Sequence, residues 1–580
     1  FVVIVDIPKP LFGERDRATV QSWVQVTNLA VDALADQDEL LAWATRLSDG
    51  APLADVVVAL YGAKAEGSTS ADGTLRLPLE ASNGYMLVAT QGDDTAILPR
   101  YVWDYYNDSG WRKQDQYDEL RWYVFDDRQM YRPGEEVHFK GWLRRFGAGP
   151  TGDITLLGDS AASGRYSVRY EVMDPIGNSM ADGVVDLNAL NGFDFAITLP
   201  ENATLGYYNV YFTANGMSSV GMTDNYYSFQ VQEFRRPEFE VKAQPEGMGP
   251  WFVGEDALVS VNAGYYAGGA LPSAETTWTV NASPASYTPP NWEEFTFGVW
   301  RPWWISDYAE GGGFADVYYD AGGEQQGPQQ NQLVGLTDAT GTHYLRMSFN
   351  RAEEPRPYSV SAEAVVMDVN RQAWAASTNL LVHPSALYVG LRSSQMFVEA
   401  GEALKFDVIV TDVDGNVVAE TPVQVHAAVQ EYVWRNGRNV QQDGPVQDCE
   451  LLSAAEPVQC TFATDTGGSY RIWAEVRDEN ERLNRTELTR WVSGGASTAT
   501  RALQQEQAQI IPDKETYAPG DVAELLVQSP FSPAEGLLTV ARNGFIATER
   551  FTITDTTAVL RVPIDEAHVP NLVVQVDLTG

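Results

Sequence analysis

The stretch Tyr131-Arg132-Pro133-Gly134-Glu135, running into Val137-His138-Phe139-Lys140-Gly141-Trp142-Leu143, decides how the 580 residues are read. Related stretches recur. Trp251-Phe252-Val253-Gly254-Glu255 leads into Ala257–Val261. Phe397-Val398-Glu399-Ala400-Gly401-Glu402 leads into Leu404–Val408. Tyr517-Ala518-Pro519-Gly520-Asp521 leads into Ala523–Val527. Each has an aromatic residue, a short spacer, a glycine, an acid and an alternating strand. The glycines at 134, 254, 401 and 520 are 120, 147 and 119 residues apart, a domain-scale period. Proline at the second position of a turn sets φ, and glycine at the third accepts φ > 0, so each stretch reads as a sharp reversal into a new strand. The preceding aromatic is expected to anchor the corner on a sandwich core, and the acid to face solvent.

Working outward, short alternating runs separated by turns fill the chain. Examples are Val56–Tyr61, Leu75–Leu79, Tyr166–Val172, Gly192–Leu199, Gly206–Phe212 and Tyr358–Val366. They predict an all-β chain of tandem antiparallel β-sandwich domains of fibronectin- or immunoglobulin-like type. The expected division is 1–16 as the end of a preceding domain, then 17–115, 116–236, 237–384, 385–502 and 503–580. The third unit carries an aromatic-rich insertion at 284–330. The last is too short for a full sandwich of this kind, so its remainder is expected beyond Gly580. An aromatic loop, Val102–Asn107, closes the first unit, and Arg235-Arg236-Pro237 links the second to the third. Weak helix candidates lie at Asp36–Trp43, competing with a strand at Leu40–Thr45, and at Gln504–Ile510.

The formal net charge of −40 argues against nucleic-acid binding, which needs clustered Lys and Arg. No apolar run approaches the roughly 18–20 residues of a membrane helix. The chain opens at Phe1 inside a strand, with neither Met nor a signal peptide, as a piece of something longer would. Two cysteines, Cys449 and Cys460, fit a disulfide across a hairpin, and with it an oxidising compartment; two buried free thiols are the other reading. Zinc is disfavoured, because it wants four ligands and no histidine lies close in sequence.

Chemistry is sparse. His138, His343, His383, His426 and His568 are scattered, without ligand spacing or a nucleophile motif. Asp412-Val413-Asp414-Gly415-Asn416 superficially suggests calcium but lacks the remaining oxygen ligands and closing Glu, and reads as a hairpin turn. Trp292, Phe295, Phe297, Trp300, Trp303, Trp304 and Tyr308 can stack on sugars or anchor a partner; the plainer reading folds them against a sandwich or a neighbouring unit. No catalytic, cofactor-binding or metal-binding residue is assigned, no cofactor is expected, and the chain is read as a non-enzyme.

The stretch Phe125-Asp126-Asp127-Arg128-Gln129-Met130-Tyr131-Arg132-Pro133-Gly134-Glu135-Glu136-Val137 resembles a signature of macroglobulin-like domains in the alpha-2-macroglobulin family. Phe229–Phe239 is similar to the family's junction between such domains. Asp513–Asp521 with Ser529-Pro530-Phe531, and Val569–Val574, look like its bait-region domain. The domain lengths and the Asp49-Gly50-Ala51-Pro52 turn are most like the bacterial branch. The resemblance implies a broad-spectrum endopeptidase inhibitor that encloses a protease after an exposed bait is cut. This chain would be its scaffold segment, working in host or envelope defence in the periplasm, cell envelope or extracellular space. Target proteases would engage regions beyond this chain, with envelope or peptidoglycan-synthesis proteins as further partners. Many members carry a Cys-x-Glu-Gln thioester. Cys449 is followed by Glu-Leu-Leu and Cys460 by Thr-Phe-Ala, so neither matches; bait and thioester are expected after Gly580. The competing readings are a structural or adhesive surface protein without inhibitor activity, and a sugar-binding module resting on the 292–308 aromatics.

Overall fold

Alternation sets the layers. In the strand Glu136–Phe146, Val137, Phe139, Gly141 and Leu143 are buried while His138 and Lys140 are exposed, so one face meets a core and the other meets water. The computed structural model describes residues 2–6, 19–23, 25–82, 84–99, 111–115, 117–149, 152–158, 166–217, 220–232, 238–304, 331–350, 354–435, 438–494 and 507–580. The 102–107 aromatic loop, the 235–237 linker, Tyr308 and residues 504–506 of the second helix candidate lie outside these.

Among the described residues, five two-sheet sandwiches follow one another, after a two-stranded sheet of Val2–Asp6 paired with Thr19–Trp23. The first sets Leu29–Ala35, Glu39–Arg46 and Thr74–Pro78 against a four-stranded sheet ending in Asp94–Pro99. The second, third and fourth each oppose two sheets, both five-stranded in the second and one five-stranded in the others, with the strand that ends the unit (Asp224–Val231, Ala373–His383 or Leu483–Ser493) in a five-stranded sheet. The last stretch, expected to be too short, closes as two three-stranded sheets over Ala523, Val527, Leu538, Val540 and Ile553. Three strands a side suffice because its outer faces are covered by other units. The only helix among the described residues is a single turn, Glu566–His568, and no helix there is long and apolar enough to cross a membrane.

The four repeated corners are turns of one kind. Gly134, Gly254, Gly401 and Gly520 have φ of +83°, +90°, +92° and +98°. In each, the amide of the following acid donates to the carbonyl three residues back: Glu135 to Arg132 (3.2 Å), Glu255 to Phe252 (3.2 Å), Glu402 to Glu399 (2.9 Å) and Asp521 to Ala518 (3.0 Å). Ahead of the first three corners, Met130–Tyr131, Trp251–Phe252 and Phe397–Glu399 pair in parallel with the closing strand of the five-stranded sheet; the strand after the corner joins the opposite sheet. The corner therefore stitches one layer to the other. At the fourth, Gln509–Pro512 and Val522–Gln528 lie in the same sheet.

Corners one and four share a clasp. The Tyr131 hydroxyl donates to Asp127 (2.6 Å) and accepts from the Arg128 amide (3.1 Å), with the Arg128 guanidinium 4.7 Å from its ring. Tyr517 does the same with Asp513 (2.7 Å), the Lys514 amide (3.2 Å) and the Lys514 ammonium (5.8 Å). Burial and the carboxylate bond push both phenols well above their usual range.

The helix candidate at Asp36–Trp43 is overturned. Asp36 accepts the amides of Asp38 and Glu39 (both 2.8 Å), closing a hairpin between Leu29–Ala35 and Glu39–Arg46. Likewise Gln509 and Ile510 begin a strand, Gln509–Pro512.

Candidate functional site

The residues that most constrain function lie where the last sandwich meets the others. Its approach is prepared by the insertion of the third unit. Residues 285–304 form a strap across the fourth sandwich. The Trp292 indole donates to Gly415 O (2.9 Å), and the Tyr287 hydroxyl to Val413 O. Thr296 and Leu391 exchange backbone bonds of 2.8 and 3.0 Å. Phe295 and Phe297 are buried against Tyr388 and Ile409, and a side chain on Gly390 would meet the Phe297 ring at 2.6 Å, so glycine there makes room for it. Val299 then pairs with Glu487 beside the strand Leu483–Ser493, covering part of that strand's edge.

The strap ends against the last sandwich. Trp491, Ile511 and Leu526 are fully buried together, with Trp300, Trp304, Met396, Phe397 and Val559 packed round them. Trp300 also carries the Arg490 guanidinium 5.2 Å from its ring. Of the aromatic cluster singled out in sequence, Trp292, Phe295, Phe297, Trp300 and Trp304 are thus consumed in contacts between units, and Trp303 packs edge-on to Trp304 (4.6 Å). Among the described residues this leaves only the half-buried Trp303 for the sugar-binding reading.

On its other side the last sandwich meets the first, 509 residues away in sequence. Leu41, Trp43 and Leu537 are buried together with Leu34 and Phe545 at their rim. The Phe545 amide donates to Asp36 (3.0 Å), and the Thr45 and Thr579 hydroxyls are 3.3 Å apart. The Arg542 guanidinium bonds Ala567 O (2.8 Å) and reaches Gly152 O in the second unit. The last sandwich is therefore wedged among the first, second and fourth units and the strap of the third. Sequence reasoning missed this seam, although one signal was present: Leu40-Leu41-Ala42-Trp43-Ala44 does not alternate, and a strand apolar on both faces must be covered on both.

Between the third and fourth units, His383 is 5% exposed and its Nδ1 is 2.7 Å from the Tyr388 hydroxyl, with Tyr287 edge-on to its ring. Burial pushes the imidazole down to about 4. Arg482 bridges Glu255 of one unit (3.1 Å) and Asp478 of the other (2.7 Å). The other histidines do not converge. His138 is exposed, His343 accepts from the Trp278 indole (3.0 Å), His426 faces Asp448 (2.6 Å), and His568 caps the helical turn. Asp412 accepts the amides of Asp414 and Asn416 (2.9 and 2.8 Å), leaving a hydrogen-bonded hairpin rather than a calcium loop. Among the described residues no three His, Cys, Asp or Glu group to hold a metal. Cys449 and Cys460 are joined, Cα to Cα 6.1 Å, and link the two sheets of the fourth sandwich.

Three family models match: a bacterial alpha-2-macroglobulin MG3 domain over 26–105, an MG2 domain over 121–231, and an alpha-2-macroglobulin bait region domain over 508–580. An alpha-2-macroglobulin homolog of Nostoc sp. is 25% identical over 557 residues, covering 89% of this chain. The alpha-2-macroglobulin of Ralstonia nicotianae is 25% identical over 510 residues, covering 87%. The chain spans 27% and 28% of the length of these two relatives. Among solved structures, the native conformation of E. coli alpha-2-macroglobulin is similar over 97% of this chain and 36% of that one, with 16% identity and a TM-score of 0.46. The matched domains are spaced from one end of the chain to the other, and it is similar to bacterial alpha-2-macroglobulins over most of its length.

Proposed function

We propose that the chain is the scaffold segment of a broad-spectrum protease inhibitor that encloses its target after bait cleavage. The observation that carries this reading is the position of the bait region domain, residues 508–580, wedged among three other sandwiches and the strap. A cut that alters the order or placement of that one domain changes contacts on every side of it, so a local event acquires a global readout without catalysis. In this reading the chain contributes no reacting group. Proteases are its partners, through parts of the protein beyond this segment, and envelope or peptidoglycan-synthesis proteins are further candidates.

We place its work in the periplasm or cell envelope, or outside the cell, in defence against proteases of a host or competitor. The Cys449–Cys460 link supports an oxidising compartment. The test is to incubate the full-length protein with several unrelated proteases. Limited cleavage should be followed by compaction in solution scattering and by protection of the protease from large inhibitors but not from small substrates. Cleavage with neither effect would end the trap reading.

A further inference from the structure

We infer that the seam between the first and last sandwiches is a latch: the contact that parts first when the array rearranges, while the last sandwich stays on the fourth. The two contacts differ in construction. On the fourth-unit side Trp491, Ile511 and Leu526 have no exposed surface and five further large side chains close over them. The seam with the first unit has three buried residues, Leu41, Trp43 and Leu537, with Leu34 and Phe545 at the rim. More large side chains leave water at the first contact, so it is the stronger.

Buried polar atoms without a hydrogen-bond partner among the described residues lie at both contacts, Trp43 Nε1 and Thr539 Oγ1 at the seam and Trp304 Nε1 and Trp491 Nε1 on the fourth-unit side, so they do not separate the two. Two other features weaken the seam. A groove of about 310 Å³, lined by Leu34, Asp36, Thr539, Phe545 and Val573 among others, runs along the contact, so packing is incomplete. Finally, Asp577 of the last sandwich and Asp32 of the first are like charges across the seam. Burial first, and then the Asp32 charge, push the Asp577 carboxyl up, although bonds from Gln575 (3.0 and 3.2 Å) support it. What spans the seam otherwise is individually modest: the Phe545–Asp36 bond, the Thr45–Thr579 contact, and Arg76 stacked 5.7 Å from the Phe545 ring.

The latch deepens the trap reading, which gives it a use, but its existence is tested without any protease. Buried reporters, Leu41→Cys and Leu537→Cys in the seam and Ile511→Cys and Leu526→Cys on the fourth-unit side, are made one at a time in the 580-residue chain and labelled with a thiol reagent under native conditions. The seam pair should label roughly tenfold or more faster than the other pair, because local opening reaches them at lower free energy. Asp32→Lys, which replaces a repulsion by an attraction at an exposed position, should slow labelling at 537 severalfold. Two reporters on each side keep the comparison readable if one variant fails to fold. Equal rates on the two sides, faster labelling at 511 and 526, or no response to Asp32→Lys would overturn the latch. Should the latch stand while protease protection fails, the trap reading falls alone.

Discussion

The third and fourth sandwiches are neighbours in sequence; the first and last are 509 residues apart where Phe545 meets Asp36, and they join by different means. The first joint uses backbone. A strap leaves one sandwich, pairs with two strands of the next at Leu391 and Glu487, and threads its aromatics into a slot opened by Gly390. The loops closed by the strap, 123 residues for Trp292–Gly415 and 188 for Gly298–Thr486, are shorter than the 509 at the distant seam, a difference of only about 1 kcal/mol in closure entropy. The distant seam uses side chains in its apolar core and only scattered polar contacts at its rim. The difference teaches that the array is stiff along the chain and separable across it.

The largest expected effect comes from attacking the stiff side. Trp491→Ala removes a side chain with no exposed surface that touches Trp300, Trp304, Ile511 and Leu526, and should lower the stability of that joint by about 3–5 kcal/mol in denaturant titrations followed by tryptophan fluorescence. Trp43→Ala in the seam should instead raise hydrogen exchange of its surroundings with a smaller shift in the main transition.

Acid should act next on the joint of the third and fourth units. His383 is held neutral in the fold, with its imidazole lowered to about 4, whereas the unfolded chain takes up that proton near the ordinary value of about 6.5. Stability is therefore full above about pH 6.5 and falls as pH drops toward 4. There the loss levels off at about 3 kcal/mol. His383→Gln should flatten that part of the pH profile in melts run at several pH values; an unchanged slope would separate the imidazole from the joint.

The corners sharpen the comparison at a finer scale. Tyr131→Phe and Tyr517→Phe each delete a hydrogen bond to a carboxylate and should cost about 1.5–3 kcal/mol in chemical denaturation, at the lower end where Asp127 is partly exposed. Corners two and three have no such clasp to lose. Gly401→Ala should cost about 1 kcal/mol, since its φ of +92° disfavours a side chain although nothing lies within 4 Å of the position a Cβ would take.

How much of this was legible follows from how local each feature is. Turn chemistry is confined to a few residues, so the corners were readable from sequence, whereas the last unit, read as too short, closes as a sandwich of its own. The clasp spacing, Asp-Arg-x-x-Tyr and Asp-Lys-x-x-Tyr, stands in the sequence too, but its chemistry depends on the tyrosine reaching back to the carboxylate. Asp412 was read as a single hairpin turn, yet Asp174, Asp338, Asp368 and Asp478 make the same turn, each accepting amides two and four residues on. That repeat went unnoticed because only the aspartate is constant. The partners of Trp292 and Phe297 were not legible, since they lie 123 residues on for the Trp292 indole and behind a glycine whose role only packing reveals. Cys449 and Cys460 were placed on a hairpin, whereas their strands, Arg438–Leu452 and Val458–Phe462, belong to opposite sheets.

The non-alternating strand Glu39–Arg46 has a practical corollary. Leu41 and Trp43 are buried only because the last sandwich lies over them. Cut out as a recombinant fragment, the first sandwich would present that stripe to solvent and to its own copies, an invitation to self-association. The units repeat like beads when written out, but they are not interchangeable parts. A shuffled or truncated array that omits the last bead should express poorly for want of a cover, even where every remaining bead is intact.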